Sequence, residues 1–294
     1  MLMQRVVTGV ILLILVLQSL FNASFQFFVF LVSLVTLVAG WEWSKLIGIK
    51  QYFYRMCYVW CVAISICVFW WYAPPYPHWL GFVTSANWQV QASFFILLFS
   101  SVWWFLAVPL VLTYPSKTFR WCYSPWTIGL IGLVNLLAFW VALIAIRGLN
   151  MLSDTQFGAT LILHWMSIIW AADVGAYFAG KRFGRIKLAP KVSPNKTWEG
   201  VFGGMITAAC VAGLGWLLLP EVYQSVLQIA LVSSVLVFFS VIGDLTESVL
   251  KRERNLKDSG RILPGHGGLL DRIDSLLSTS PIFALAMIIV GLMR

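Results

Sequence analysis

Charge is scarce in this sequence. Only 11% of its 294 residues are Asp, Glu, Lys or Arg, 60% are hydrophobic, and the mean hydropathy is +0.87. Soluble domains carry about a quarter charged residues, so the chain lacks the polar surface that would keep it in water. Acids are scarcer still: Glu42 and Asp154 are the only two before residue 173, and the other nine lie between Asp173 and Asp274. The five cysteines (Cys57, Cys61, Cys67, Cys122, Cys210) include no CxxC and sit in or beside apolar runs. They read as small packing residues, not as a disulfide framework. Zinc-type His/Cys spacing, a Walker GxxxxGK[ST] loop and a GxSxG elbow are also missing, which argues against a zinc site, a P-loop ATPase and a serine hydrolase. There is no internal repeat, low-complexity tract or soluble domain.

What fills the chain instead is apolar runs of membrane-spanning length. They predict helices near 5–21, 25–41, 56–73, 93–113, 126–147, 158–180, 200–219, 226–247 and 275–292. The fold class expected is therefore an all-α polytopic integral membrane protein with about nine transmembrane helices. Segments 73–90 and 114–125, rich in Pro and Trp, read as interfacial connections. Arg5 followed by Val6 to Leu20 resembles a signal peptide, but Asn22-Ala23-Ser24 is a poor cleavage site, so the segment is expected to stay as the first span.

The net charge of +9 follows the bilayer, not a nucleic acid. With the N-terminus inside, alternate connections hold 18 of the 20 Lys and Arg, and the other side keeps only Arg147 and Arg294. The positive-inside rule then predicts N-in, C-out. Residues 1–150 are expected to form a lipid-facing scaffold with a dimerisation role, and 151–294 a catalytic region with cytoplasmic loops.

Four polar elements converge on that inner side. Asp173 and Tyr177 share a face of the sixth helix, and an intramembrane carboxylate is costly unless it meets a polar cavity or a cation. A packing Asp bonded to a neighbouring Ser or Trp is the plainer alternative. The loop from Lys187 to Gly200 offers ammonium groups, hydroxyls and helix-N-terminal amides suited to polyphosphate. Within it Ser193, Lys196, Thr197 and Glu199 are candidate site residues; nearby Lys181, Arg182 and Arg185 read better as topology-setting charges against anionic lipid. Asp244, Glu247 and Ser248 are spaced i, i+3, i+4 on one helical face. The fourth element carries Lys257, Asp258, His266, Gly267, Gly268, Asp271, Arg272 and Asp274, with glycines around His266 that let the backbone approach a ligand. Hard oxygen ligands on separated helices suit Mg²⁺ when a nucleotide's phosphates complete the shell. Carboxylates, cations and a Gly-rich turn together point to metal-assisted phosphoryl or nucleotidyl transfer.

The run from Ser248 to Asp274, including Lys251-Arg252, Lys257-Asp258, Gly260, Leu263-Pro264, His266-Gly267-Gly268 and Asp271-Arg272, closely resembles the C-terminal signature of phosphatidate cytidylyltransferases (CDP-diacylglycerol synthases). No departure occurs across its 27 positions. The 173–177 and 193–200 stretches resemble the family's other polar motifs, and length and hydropathy are similar to those of the bacterial members. The resemblance implies the reaction of CTP with phosphatidate to give CDP-diacylglycerol and pyrophosphate, Mg²⁺ dependence with room for a second cation, a homodimer, and a cell (inner) membrane location. It also implies metal ligation by Asp244 and Asp271. Lys196, Lys251, Arg252, Lys257 and Arg272 become candidates for triphosphate and lipid-phosphate contacts, with His266 open between proton transfer and a phosphate contact. Two rival readings are a CTP-dependent polyprenol or phytol kinase, whose similarity to 248–274 is much weaker, and a cation-coupled transporter using Asp173 and Asp244. Release of CDP would mark the kinase, and solute flux without covalent change the transporter.

Overall fold

The computed structural model describes residues 2–72, 88–116, 122–149, 156–219, 222–223 and 225–290. Asp154 and most of the two Pro- and Trp-rich connections, Lys117 and Arg120 included, lie outside these. Among the described residues nine helices form: α1 (Leu2–Phe21), α2 (Phe25–Ile47), α3 (Tyr52–Tyr72), α4 (Trp88–Thr113), α5 (Pro125–Arg147), α6 (Phe157–Phe183), α7 (Trp198–Leu218), α8 (Val226–Glu253) and α9 (Leu270–Val290). Seven of them, α2 to α8, contain stretches long and apolar enough to cross a membrane; the apolar part of α1, Val6–Phe21, is shorter. The protein is multi-pass and helical. One element departs from a purely helical reading: Lys187–Ala189 (β1) and Ser193–Thr197 (β2) form a two-stranded antiparallel hairpin between α6 and α7.

Several helix termini are written locally. Ser24 and Ser124 cap α2 and α5, their hydroxyls accepting from Phe27 and Thr127 amides, and Pro125 opens α5 where no amide donor is needed. Gly48 ends α2 in the left-handed region (φ 96°), which a side chain rarely adopts. Thr197 caps α7 through the Gly200 amide.

Between helices the driving force is packing and hydrogen bonding, because lipid is as apolar as the side chains. Large apolar residues such as Val10, Trp60, Ile64, Phe99, Phe105, Phe202 and Leu231 therefore stay exposed, facing the lipid. Buried polar groups bond across helices: Ser100 Oγ donates to Asn135 Oδ1 (2.6 Å), and Trp43 Nε1 to the Ile128 carbonyl (2.9 Å). The tightest pair is α6 with α7. Gly175, Ala179 and Gly180 of α6 face Gly200, Gly203 and Thr207 of α7, and Thr207 Oγ1 donates to the Ala171 carbonyl at 2.7 Å. A Cβ at Gly175 would collide with Thr207, and one at Gly203 with Ala179. These are small-residue contacts at four-residue spacing.

Long-range contacts show which helix ends lie together. At one end, Thr8 of α1 donates to the Pro264 carbonyl, Lys45 of α2 to that of Ser259, and Arg254 after α8 to those of Leu46 and Tyr123. At the other, Gln156 before α6 reaches the carbonyl of Phe21, the last residue of α1, and the Arg147 guanidinium closing α5 lies over the Phe28 ring of α2. The lysine- and arginine-rich termini share the first end.

Candidate active site

At that end α6, α8, α9 and the loop before α9 enclose a cavity of about 370 Å³. Five carboxylates line it: Asp173 from α6, Asp244 from α8, Asp258 from the loop, and Asp271 and Asp274 from α9. Lys251 and Arg272 line it too, with Ile169, Trp170, Ser275 and Leu276. From the hairpin, Lys196 reaches across and its Nζ meets Asp244 Oδ2 at 2.6 Å. Ser248 Oγ donates to Asp244 Oδ1 at 3.4 Å, one turn along α8.

α8 and α9 approach closely enough to share this wall because both carry small residues at the crossing. A Cβ at Gly243 would collide with the Ser278 hydroxyl, which donates to the Phe239 carbonyl at 2.8 Å. Ser275 Oγ donates to the Ser240 carbonyl at 3.3 Å. The next residue beyond Gly243 is Asp244, so this close contact sets its depth.

Lys251 is buried and held at both sides, 2.7 Å from Asp271 Oδ1 and 3.3 Å from Glu247 Oε1. A buried cation between two carboxylates is fixed in place, since removing either partner leaves charge uncompensated. Asp271 is held as firmly. Besides Lys251 it accepts from the Ser259 amide (3.0 Å to Oδ2) and from the Gly268 amide (2.9 Å), so its carboxylate ties the loop to the first turn of α9. Asp274 Oδ1 accepts from the Ser275 amide at 2.7 Å.

Thus the structure brings Asp173, Lys196, Asp244, Ser248, Lys251, Asp258, Asp271, Arg272 and Asp274 together. Other candidates sit apart. Tyr177 is exposed, with its ring against Phe178 and Lys181 Nζ 5.7 Å away. Glu199 accepts from the Ile186 amide (3.1 Å), closing the hairpin, while Thr197 caps α7 beneath Gly180 and Gly184. Ser193 begins β2 in the hairpin. Arg252 and Lys257 are exposed and are not in the cavity wall. His266 sits half-buried on a tight turn, where its amide donates to the Leu263 carbonyl (3.0 Å) between Gly265 (φ 77°) and Gly267 (φ 88°). The space beside Gly268 is filled by Ser259 and Glu42 side chains, so the missing Cβ there admits the protein's own groups.

Glu42 stands alone in the sequence, far from the other acids, and no local pattern marks it as a site residue. It is fully buried near the C-terminal end of α2, and its Oε2 accepts from the Leu270 amide at 2.7 Å and the Ser259 hydroxyl at 3.2 Å. The sequence signal is its type and place: like Asp173, it is a carboxylate in an apolar helix and calls for a partner.

The donor set suits a hard divalent cation. It is carboxylate oxygen from separate elements, and the five acids outnumber the three cations Lys196, Lys251 and Arg272. Among the described residues no three acid, His or Cys side chains form a ready cage. Mg²⁺ in general takes one or two carboxylates and draws the rest of its shell from phosphates and water.

Comparison with known proteins agrees with this architecture. The sequence profile of the cytidylyltransferase family matches residues 3–290. The chain is 40% identical to a phosphatidate cytidylyltransferase of Pseudomonas aeruginosa over 284 residues, covering 97% of this chain and 96% of that protein. It is 36% identical to the Haemophilus influenzae protein of the same name, covering 97% and 98%. With the Bacillus subtilis phosphatidate cytidylyltransferase it shares 43% identity over 182 residues, 60% of this chain and 63% of that one. A match over nearly the whole chain, on a bundle that gathers the signature's acids around one cavity, leaves one conclusion: this chain belongs to the cytidylyltransferase family and is a nucleotidyltransferase.

Proposed function

We propose that the protein transfers the cytidylyl group of CTP to phosphatidate, giving CDP-diacylglycerol and pyrophosphate for phospholipid synthesis. The observation that supports this most is the charged cavity where α6, α8 and α9 meet, at the basic end of a membrane bundle. A lipid phosphate can reach such a place from the bilayer and CTP from water. By the positive-inside rule that end faces the cytoplasm of a cell inner membrane, with the N-terminus inside and the C-terminus outside.

The reaction needs no protein nucleophile. A phosphate oxygen of phosphatidate attacks the α-phosphorus of CTP; the bond from that phosphorus to the oxygen bridging to the β-phosphorus breaks, and its electron pair leaves with pyrophosphate. The protein's part is positioning and neutralising charge. Arg272, exposed on the cavity wall, is placed to bind phosphate oxygens. Lys196 is a second phosphate ligand, free to turn from Asp244 once another cation takes its place. Lys251, enclosed by Glu247 and Asp271, holds the Asp271 carboxylate in register. Arg252, Lys257 and His266, outside the cavity wall, are the remaining candidates for contacts with the approaching anions.

Mg²⁺ held by Asp244 and Asp271 would offset the charge on the phosphates, and Asp173 and Asp274 leave room for a second cation. Residues 1–150 serve as scaffold and 151–294 as catalytic region, in a homodimer surrounded by membrane lipids. The test is direct. Purified protein with phosphatidate and CTP labelled at the α-phosphorus should produce lipid-extractable label and free pyrophosphate, and a chelator should abolish both. Released CDP without labelled lipid would instead indicate a kinase.

A further inference from the structure

We propose that Glu42, on α2, is a positioning residue for the reaction: it holds the 258–271 loop so that Asp258, Asp271 and Arg272 face the cavity. This role rests on reading that loop as part of the active site.

The argument begins with how α9 starts. A helix leaves its first four amides unsatisfied, and they are usually met by a Ser, Thr, Asp or Asn cap. Here the residue before α9 is Leu269, whose side chain accepts nothing. The cap comes from elsewhere: the Leu270 amide donates to Glu42 Oε2 at 2.7 Å, from a residue 228 positions earlier in the chain. A carboxylate at that position also meets the positive end of the α9 dipole. The same oxygen accepts from Ser259 Oγ at 3.2 Å. One turn along α2, Lys45 Nζ donates to the Ser259 carbonyl at 2.9 Å. Ser259 is thus gripped by both α2 side chains, and its amide donates to Asp271.

Two signature glycines fit the same contact. A Cβ at Gly260 would collide with the Glu42 carboxylate, and one at Gly268 with Ser259 and Glu42. Glu42 Oε1 is packed at this point with no hydrogen-bond partner. Burying an unpaired acceptor is costly, and the two bonds accepted by Oε2 offset that cost. An acceptor held here keeps α9's first turn, and with it Asp271 and Arg272, at a fixed depth.

The test uses the full-length protein in detergent, measuring turnover of CTP and phosphatidate per folded molecule together with amide hydrogen exchange. A wild type that converts no CTP overturns the catalytic reading and this role with it; an active wild type confines the question to Glu42. Glu42→Ala should then lower kcat by at least ~10-fold, the size a modest misplacement of catalytic groups produces. It should also speed exchange of the 258–270 amides by at least ~10-fold while the helices far from the loop keep theirs. Glu42→Gln, which retains an acceptor for Leu270, should recover most of the lost kcat. Should Glu42→Ala fail to fold, Gly260→Ala displaces the carboxylate with the acid still present, and it should show the same two changes. A folded Glu42→Ala (or, in its stead, Gly260→Ala) with kcat within ~10-fold of wild type overturns the proposal. So does unchanged loop exchange, or a Glu42→Gln no better than Glu42→Ala.

Discussion

Lys196 and Asp244 meet at 2.6 Å, joining the β2 strand of a surface hairpin to the cavity wall on α8. The lysine thus belongs to the cavity although its chain neighbours do not, and it separates two kinds of basic residue. Lys196→Ala or Arg272→Ala should lower kcat/KM for CTP or phosphatidate at least ~10-fold, as expected for losing a charge-assisted contact of about 1.5–3 kcal/mol. Lys181→Ala and Arg185→Ala, whose side chains are exposed in the last turn of α6 and just after it, should stay within a few-fold. Equal, mild effects at all four positions would mean that this segment only sets orientation.

Packing between α6 and α7 gives a prediction about stability. A Cβ at Gly203 meets Ala179, whereas nothing lies within 4 Å of one at Gly213 on the same helix. Gly203→Val should therefore destabilise the protein by about 1–3 kcal/mol, the usual cost of overpacking, and Gly213→Val should not. The thermal midpoint in detergent decides it. Equal midpoints for the two variants would show that the helices separate without cost.

The bundle was legible from apolar runs, yet the runs misplace helix ends in a consistent direction. Helix α2 continues to Ile47, α8 continues to Glu253, and α9 begins at Leu270, each several residues beyond its apolar stretch. Hydropathy marks where lipid is, while backbone hydrogen bonding runs on into polar turns, and those turns carry Glu42, Lys251 and Asp271. The hairpin was not legible because Lys187 to Thr197 has two prolines and no alternating pattern. The meeting of Asp173, Asp244 and Asp274 could be anticipated from their type and spacing. The grip of Glu42 on Leu270 could not, since it spans 228 residues and leaves no local period.

Orientation can be tested with single cysteines in a variant lacking the five native ones. Pro190 is exposed near the tip of the hairpin, and Gln156 is exposed at the opposite end of the bundle. Val222, although in a connection, is fully buried and would be a poor probe. A membrane-impermeant thiol reagent applied to intact cells should label Gln156→Cys and spare Pro190→Cys. The reverse pattern would put the cavity on the side away from cytoplasmic CTP.

The carboxylates carry the last prediction. Asp244→Asn keeps the side chain's shape and one acceptor but removes the charge proposed to hold Mg²⁺. It should cut kcat/KM by at least ~10³, since a catalytic metal is worth several kcal/mol of charge stabilisation. It should also raise the Mg²⁺ concentration needed for half-maximal rate. Asp271→Asn should be at least as damaging for two reasons, because that carboxylate also pairs with Lys251 and accepts from the Ser259 and Gly268 amides. The two effects separate in the double variant. If both residues serve one ion, Asp244→Asn combined with Asp271→Asn should be scarcely slower than the worse single, because groups acting as a unit are not additive. Additive losses would show that Asp271 acts mainly by holding the loop, with Asp173 and Asp274 then the partners of Asp244 to test. Glu253→Gln, on the exposed end of α8, is the control for charge loss and should be near neutral. A folded Asp244→Asn with more than about a tenth of wild-type activity at low Mg²⁺ would remove Asp244 from the metal site.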